Sequence, residues 1–105
     1  MKLLGELPSR EIEHFSSRGF LHTRVALGHV QISLAQLDGT IGGHQAASNQ
    51  ILLVVNGRVA VSTRDESGEL GVGEAVRWEE GEWHETRSLE PSTVLIVEGE
   101  FNDFS

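Results

Sequence analysis

The chain has 105 residues, enough for one packed domain and too few for two. Hydrophobic residues make up 38% and charged residues 23%, a balance that excludes a disordered chain. Eight Lys and Arg stand against sixteen Asp and Glu, so the field of a net charge of -8 repels phosphate backbones and excludes nucleic acid as a partner.

Cysteine is absent, which rules out disulfides, a thiolate nucleophile and sulfur-ligated metals. After Lys2 only Leu3 and Leu4 are consecutively apolar, short of a secretory leader. No run approaches the roughly eighteen apolar residues of a membrane span. The reading is a cytoplasmic protein without a membrane partner.

Residues 1–19 read as a weakly patterned N-terminal segment, with a short helical turn expected over 9–13 after Pro8. Residues 20–105 read as one domain. From Phe20 the apolar period becomes two: Leu21, Thr23, Val25 and Leu27 alternate with His22, Arg24 and Ala26. Val30, Ile32 and Leu34 then alternate with Gln31 and Ser33, so two strands are expected, broken near Gly28. Gln36 continues the phase of Val30, Ile32 and Leu34 and is expected as a polar residue of the interior. His22 and His29 take the opposite phase and, with His14, read as surface residues. Residues 38–43, rich in glycine, read as a turn before His44; no helical pattern follows, which argues against a phosphate cradle.

Residues 51–55 and 58–63, joined by Asn56 and Gly57, read as a hairpin with a two-residue type I′ turn. A second reversal is expected at 66–69, an extended stretch over 70–78, and a last strand over 92–98. Strands recurring at this spacing without helical periodicity define an all-β chain, an antiparallel sandwich or barrel. Residues 51–55 and 94–97 are apolar on both faces, whereas a half-solvated antiparallel strand alternates. A second copy of the chain is expected to cover the outer side, giving a homodimer, with the N-terminal segment as the alternative cover.

Parity gathers the chemically capable residues. His44, Ala46 and Gln50 share a face with Leu52 and Val54, and Glu82, His84, Thr86 and Ser88 share another. Side by side in a closed barrel, these faces bring His44, Gln50 and His84 together in the lumen. Glu82 is a candidate carboxylate beside His84 or, alternatively, part of a solvated acidic turn over 79–82. Trp78 is expected at the entrance and Trp83 on the opposite face from His84. No GxSxG motif is present, which disfavours a serine hydrolase.

His44, Ala46, Gln50 and Gly57, followed by Gly73, Glu79, Gly81, His84 and Ser88, keep the spacing of the two-part cupin signature. That signature reads HxHxxxE with a later glycine, then G, P, G, H and N, so Ala46, Gln50, Glu79 and Ser88 are substitutions. Over residues 38–88 the chain therefore resembles the small single-domain cupins. The resemblance implies an antiparallel jelly-roll β-barrel with one divalent ion in its lumen (Zn, Ni, Fe or Mn), held here by His44, Gln50 and His84. Ala46 removes one imidazole, and Gln50 replaces a carboxylate by a neutral amide. Three neutral ligands leave the ion its full charge, which attracts a small anionic metabolite. Gln36, Glu82 and Thr86 are the candidates to contact that ligand. The resemblance implies a metal-dependent dioxygenase or isomerase, or else a non-catalytic, metal-free ligand-binding or sensory cupin. Fold likeness does not choose between them.

Overall fold

A computed structural model describes residues 1–26 and 29–101, without the side chains of His14 and Ala26. The expected strand break near Gly28 lies outside the described residues. Nine strands form among the described residues: β1 (Ser9–Glu11), β2 (Arg18–Ala26), β3 (Val30–Gln45), β4 (Asn49–Asn56), β5 (Val59–Ser62), β6 (Ser67–Leu70), β7 (Ala75–Trp78), β8 (Trp83–Ser88) and β9 (Ser92–Gly99). The one helical element among the described residues is a 3₁₀ turn, His14–Ser16. Among the described residues no helix is long and apolar enough to cross a membrane.

Pairing is antiparallel, in the order β6-β5-β8-β3-β9-β4-β7, with β2 added to β3 and β1 to β2. The sheet rolls into a nearly closed jelly-roll barrel around β3. The first half of β3 pairs with β9, from Val30 opposite Gly99 to Leu37 opposite Ser92. Its second half pairs with β8, where His44 lies opposite His84. One strand thus pairs with β9 along its first half and with β8 along its second, joining the two sides of the barrel.

The core fills with Leu37, Leu52, Val54, Val59, Val94, Ile96 and Trp78, all essentially buried. At roughly 1.5–3 kcal/mol for each large apolar side chain, this packing holds a chain that has no covalent cross-link.

Several sequence expectations change. The reversal expected at 66–69 falls at 63–66, because Ser67–Leu70 forms β6, and the extended stretch over 70–78 is broken by a turn before β7. The Asn56–Gly57 step does not close a hairpin, because β4 pairs with β7 and β9 while β5 pairs with β6 and β8. Gly57 uses its left-handed backbone (φ 91°) to carry the chain from one side of the barrel to the other. A Cβ there would overlap the Ser92 hydroxyl, which accepts a hydrogen bond from the Arg58 N–H at 3.0 Å. The expected turn at 38–43 is instead continuous β3. Its glycines serve close approach: a Cβ on Gly39 would strike the Arg18 carbonyl, one on Gly42 the Phe15 carbonyl, and one on Gly43 the Trp83 ring.

The helical turn expected over 9–13 is replaced by β1, which pairs with β2, and the 3₁₀ turn follows it. Finally, the phase of β2 and β3 is inverted. Phe20, Ser33, Ala35, Leu37 and Ile41 are the buried residues, so Ile32, Leu34 and Gln36 face outward. Periodicity could not separate the two faces because the outer one is apolar too.

Candidate functional site

A cavity of about 320 Å³ opens at one end of the barrel. His44 from β3, Ala46 and Gln50 from the approach to and start of β4, Trp78 from β7, and His84 and Thr86 from β8 all line it. Inward parity supplies each of them: Gln50 continues Leu52 and Val54, and His84 continues Thr86, which are buried in the same alternation.

The two imidazoles are fixed by the backbone. His44 Nδ1 lies 2.9 Å from the Gly42 carbonyl, and His84 Nδ1 lies 3.2 Å from the Glu82 carbonyl. A carbonyl only accepts, so each Nδ1 carries the proton and each Nε2 keeps its lone pair. Among the described residues no hydrogen bond engages either Nε2.

The rings belong to a longer column. Phe15 stacks on His44 (4.7 Å between centroids, 16° between planes), His44 lies 4.4 Å from His84, and His84 stacks on Trp78 (4.2 Å, 20°). Burial is the main cause holding the His84 imidazole below the ordinary value of 6.5. The hydrogen bond to Glu82 opposes that effect and the charge of a protonated His44 adds to it. His84 is therefore neutral at neutral pH, the form in which imidazole binds metals.

Gln50 completes the set. It is 8% exposed, and its Oε1 is buried without a hydrogen-bond partner. An unpaired buried amide oxygen costs about 1–3 kcal/mol, so Gln50 is a strained polar group in the wall of the cavity. The separation of the two imidazoles is one that a single divalent ion can bridge. With nitrogen–metal distances of about 2.0–2.1 Å, two imidazoles bound at a right angle through Nε2 hold their centres roughly 4.5 Å apart, close to what is observed. The donor set is thin, however: among the described residues no three His, Cys, Asp or Glu are grouped to hold an ion.

The remaining sequence candidates separate. Thr86 is 1% exposed and lines the cavity. Gln36 does not: it is exposed on the outer face and borders a different depression with Leu21 and Thr93, for the reason of inverted phase given above. Glu82 is exposed and closes its own turn, its Oε1 accepting the Glu79 N–H at 3.1 Å. That turn docks on Ala46, whose N–H donates to the Glu82 carbonyl and whose carbonyl accepts from Gly81. Trp78 is not at the entrance but 2% exposed under His84. Trp83 packs outside, against Gly43 and 5.3 Å from the Arg64 guanidinium. Ser88 ties β8 to β3, accepting from the Gly39 N–H at 2.7 Å and donating to its carbonyl at 3.1 Å. His29 is exposed, and the side chain of His14 lies outside the described residues.

Sequence reasoning missed three ionisable lining residues. His22 faces the cavity rather than the surface, because the phase of β2 is the inverse of that expected. Glu98 is in phase with Val94 and Ile96, a signal that was available, and lies opposite Gln50. Arg10 enters only because β1 pairs with β2, which no local pattern announced.

The rolled antiparallel sheet with this lumenal histidine pair is a cupin fold of the small, single-barrel type. Comparison with solved structures agrees. An RmlC-like cupin from Shewanella frigidimarina superposes with a TM-score of 0.81 at 13% identity, over 97% of this chain and 91% of that one. KdgF from Halomonas sp. gives 0.78 at 24% identity, over 96% and 94%. A cupin-2 domain protein from Shewanella frigidimarina gives 0.65 at 22% identity, over 72% and 76%. At these identities the likeness establishes the fold and carries no activity across. No protein-family model and no curated protein matches the sequence.

Proposed function

We propose that this chain is a cupin-barrel protein that takes a small anionic metabolite into its lumen, on a single divalent ion held by His44, His84 and Gln50. One observation carries the reading: two imidazoles with their Nδ1 protons committed to backbone carbonyls stand on one cavity with a buried, unpartnered amide oxygen. Imidazole and amide donors suit zinc, nickel, iron or manganese. When bound, the ion supplies a Lewis acid that polarises an oxygen of the ligand.

The chain's own residues do the rest. Ala46 presents only a methyl group beside His44, which leaves room for the ligand. Ile41, Leu52 and Ile96 make the inner wall apolar and exclude water, while Thr86 adds a hydroxyl. Dioxygenase or isomerase chemistry is the catalytic form of this reading. The thin donor set favours a second one, a metal-free cupin that binds the same ligand without chemistry.

Elemental analysis of protein purified without a histidine tag separates the two. The expected result is close to one equivalent of a single transition metal, lost in His84→Ala and weakened by about tenfold in Gln50→Leu. Metal content unchanged by His84→Ala would sink the metal site.

A further inference from the structure

The inner face of the β1–β2 ribbon is basic in an otherwise acidic protein. Arg10 and His22 are direct cross-strand partners, so their side chains leave the ribbon on the same face. Arg24 follows two residues later on that face. Arg10 and His22 both line the cavity that holds His44, His84 and Gln50. The groups are close enough to act on one another: after burial, the charges of Arg24 and then Arg10 hold the His22 imidazole below its ordinary value.

Such a cluster is electrostatically unfavourable unless an anion joins it. The chain has sixteen Asp and Glu to offer, yet among the described residues neither Arg10 nor Arg24 forms an ion pair. Among the described residues Glu98 is the one acid lining the cavity; it lies on β9 opposite Gln50 and forms no ion pair with any of them.

We infer that Arg10 fixes the anionic end of the lumenal ligand, with His22 beside it and Arg24 adding to the local positive field, and that this end is a carboxylate. The inference rests on the proposed lumenal ligand site and names the chemistry of what enters it. A single guanidinium fork matches a carboxylate in a bidentate, planar contact. A phosphate dianion would add a second negative charge near Glu98, where a monoanion is better tolerated. The ligand then spans the cavity, its carboxylate at the mouth on Arg10 and its other end toward His44 and His84.

Titration of the ¹⁵N-labelled protein with sodium lactate, and separately with inorganic phosphate, tests this by amide chemical shifts. Lactate is expected to move the signals of β1 and β2 saturably. Arg10→Gln should weaken it by tenfold or more, and Arg10→Lys, which keeps the charge and loses the fork, by less. The same spectra verify that each variant is folded. Lactate binding that Arg10→Gln leaves unchanged overturns the inference, and phosphate binding tighter than lactate overturns the carboxylate assignment. Nickel uptake, measured in parallel, keeps the two readings apart. Arg10-dependent lactate binding without nickel uptake refutes the metal and leaves the anion site standing. Nickel uptake with Arg10-independent lactate binding does the reverse.

Discussion

His84 is wedged between the indole of Trp78 and the ring of His44, and that burial is the first reason its proton affinity is low. His22 is depressed as well, by burial first and then by Arg24 and Arg10. Above the ordinary 6.5 both rings are neutral in the folded and unfolded chain, so neither changes stability there. Below it the unfolded chain takes up protons first, and stability falls with pH down through the folded-state values. Thermal melting in chelator-containing buffer from about pH 8 to pH 5 should show a plateau and then a decline. The decline should be shallower in His84→Asn. A melting temperature that holds level over this range would contradict the account. Which residues reach the lumen was legible where a strand has one apolar face, as in Gln50, Leu52 and Val54. It was not legible for Gln36 and His22, because Ile32, Leu34 and Leu21 make the outer face of their strands apolar too.

Among the elements, the 3₁₀ turn is held to β3 by a close fit. The Ser17 hydroxyl accepts the buried Gly42 N–H at 2.9 Å, and any Cβ on Gly42 would overlap the Phe15 carbonyl. Phe15 and Ser16 are both in the left-handed region, at φ 57° and 59°, each at a cost of about 1–2 kcal/mol. Gly42→Ala should push the turn off the barrel and destabilise the fold by about 1–3 kcal/mol in chemical denaturation. A variant as stable as the parent would show that the turn is not packed in this way. The same glycine misled the sequence reading, since a residue that permits close approach looks in sequence like one that permits reversal. Asn56 and Gly57 misled it in the same manner: the left-handed step is real, but the strand that follows pairs elsewhere.

At the level of the molecule, the antiparallel jelly-roll barrel was readable from strand spacing and from the signature around His44 and His84, whereas the number of strands and their pairing were not. The outer face explains what periodicity could not resolve. Leu34, Leu95 and Leu53 form one row across β3, β9 and β4, and Ile32, Val97 and Ile51 form the next, all only partly buried. Residues 1–6 are exposed and give this face no tight cover. We propose that two copies pack these rows together. Light scattering should give twice the mass of the chain, and Leu95→Lys should return it to one. A parent protein that is monomeric at micromolar concentration would refute the dimer.

The column of Phe15, His44, His84 and Trp78 begins half in solvent, at a ring 56% exposed, and ends at an indole that is 2% exposed. An indole in van der Waals contact with an imidazole reports on that imidazole through its excited state. The interior of this barrel therefore contains its own optical reporter: whatever arrives at the histidines is transmitted, ring to ring, into the ultraviolet emission of Trp78, without a label and without knowledge of what has arrived.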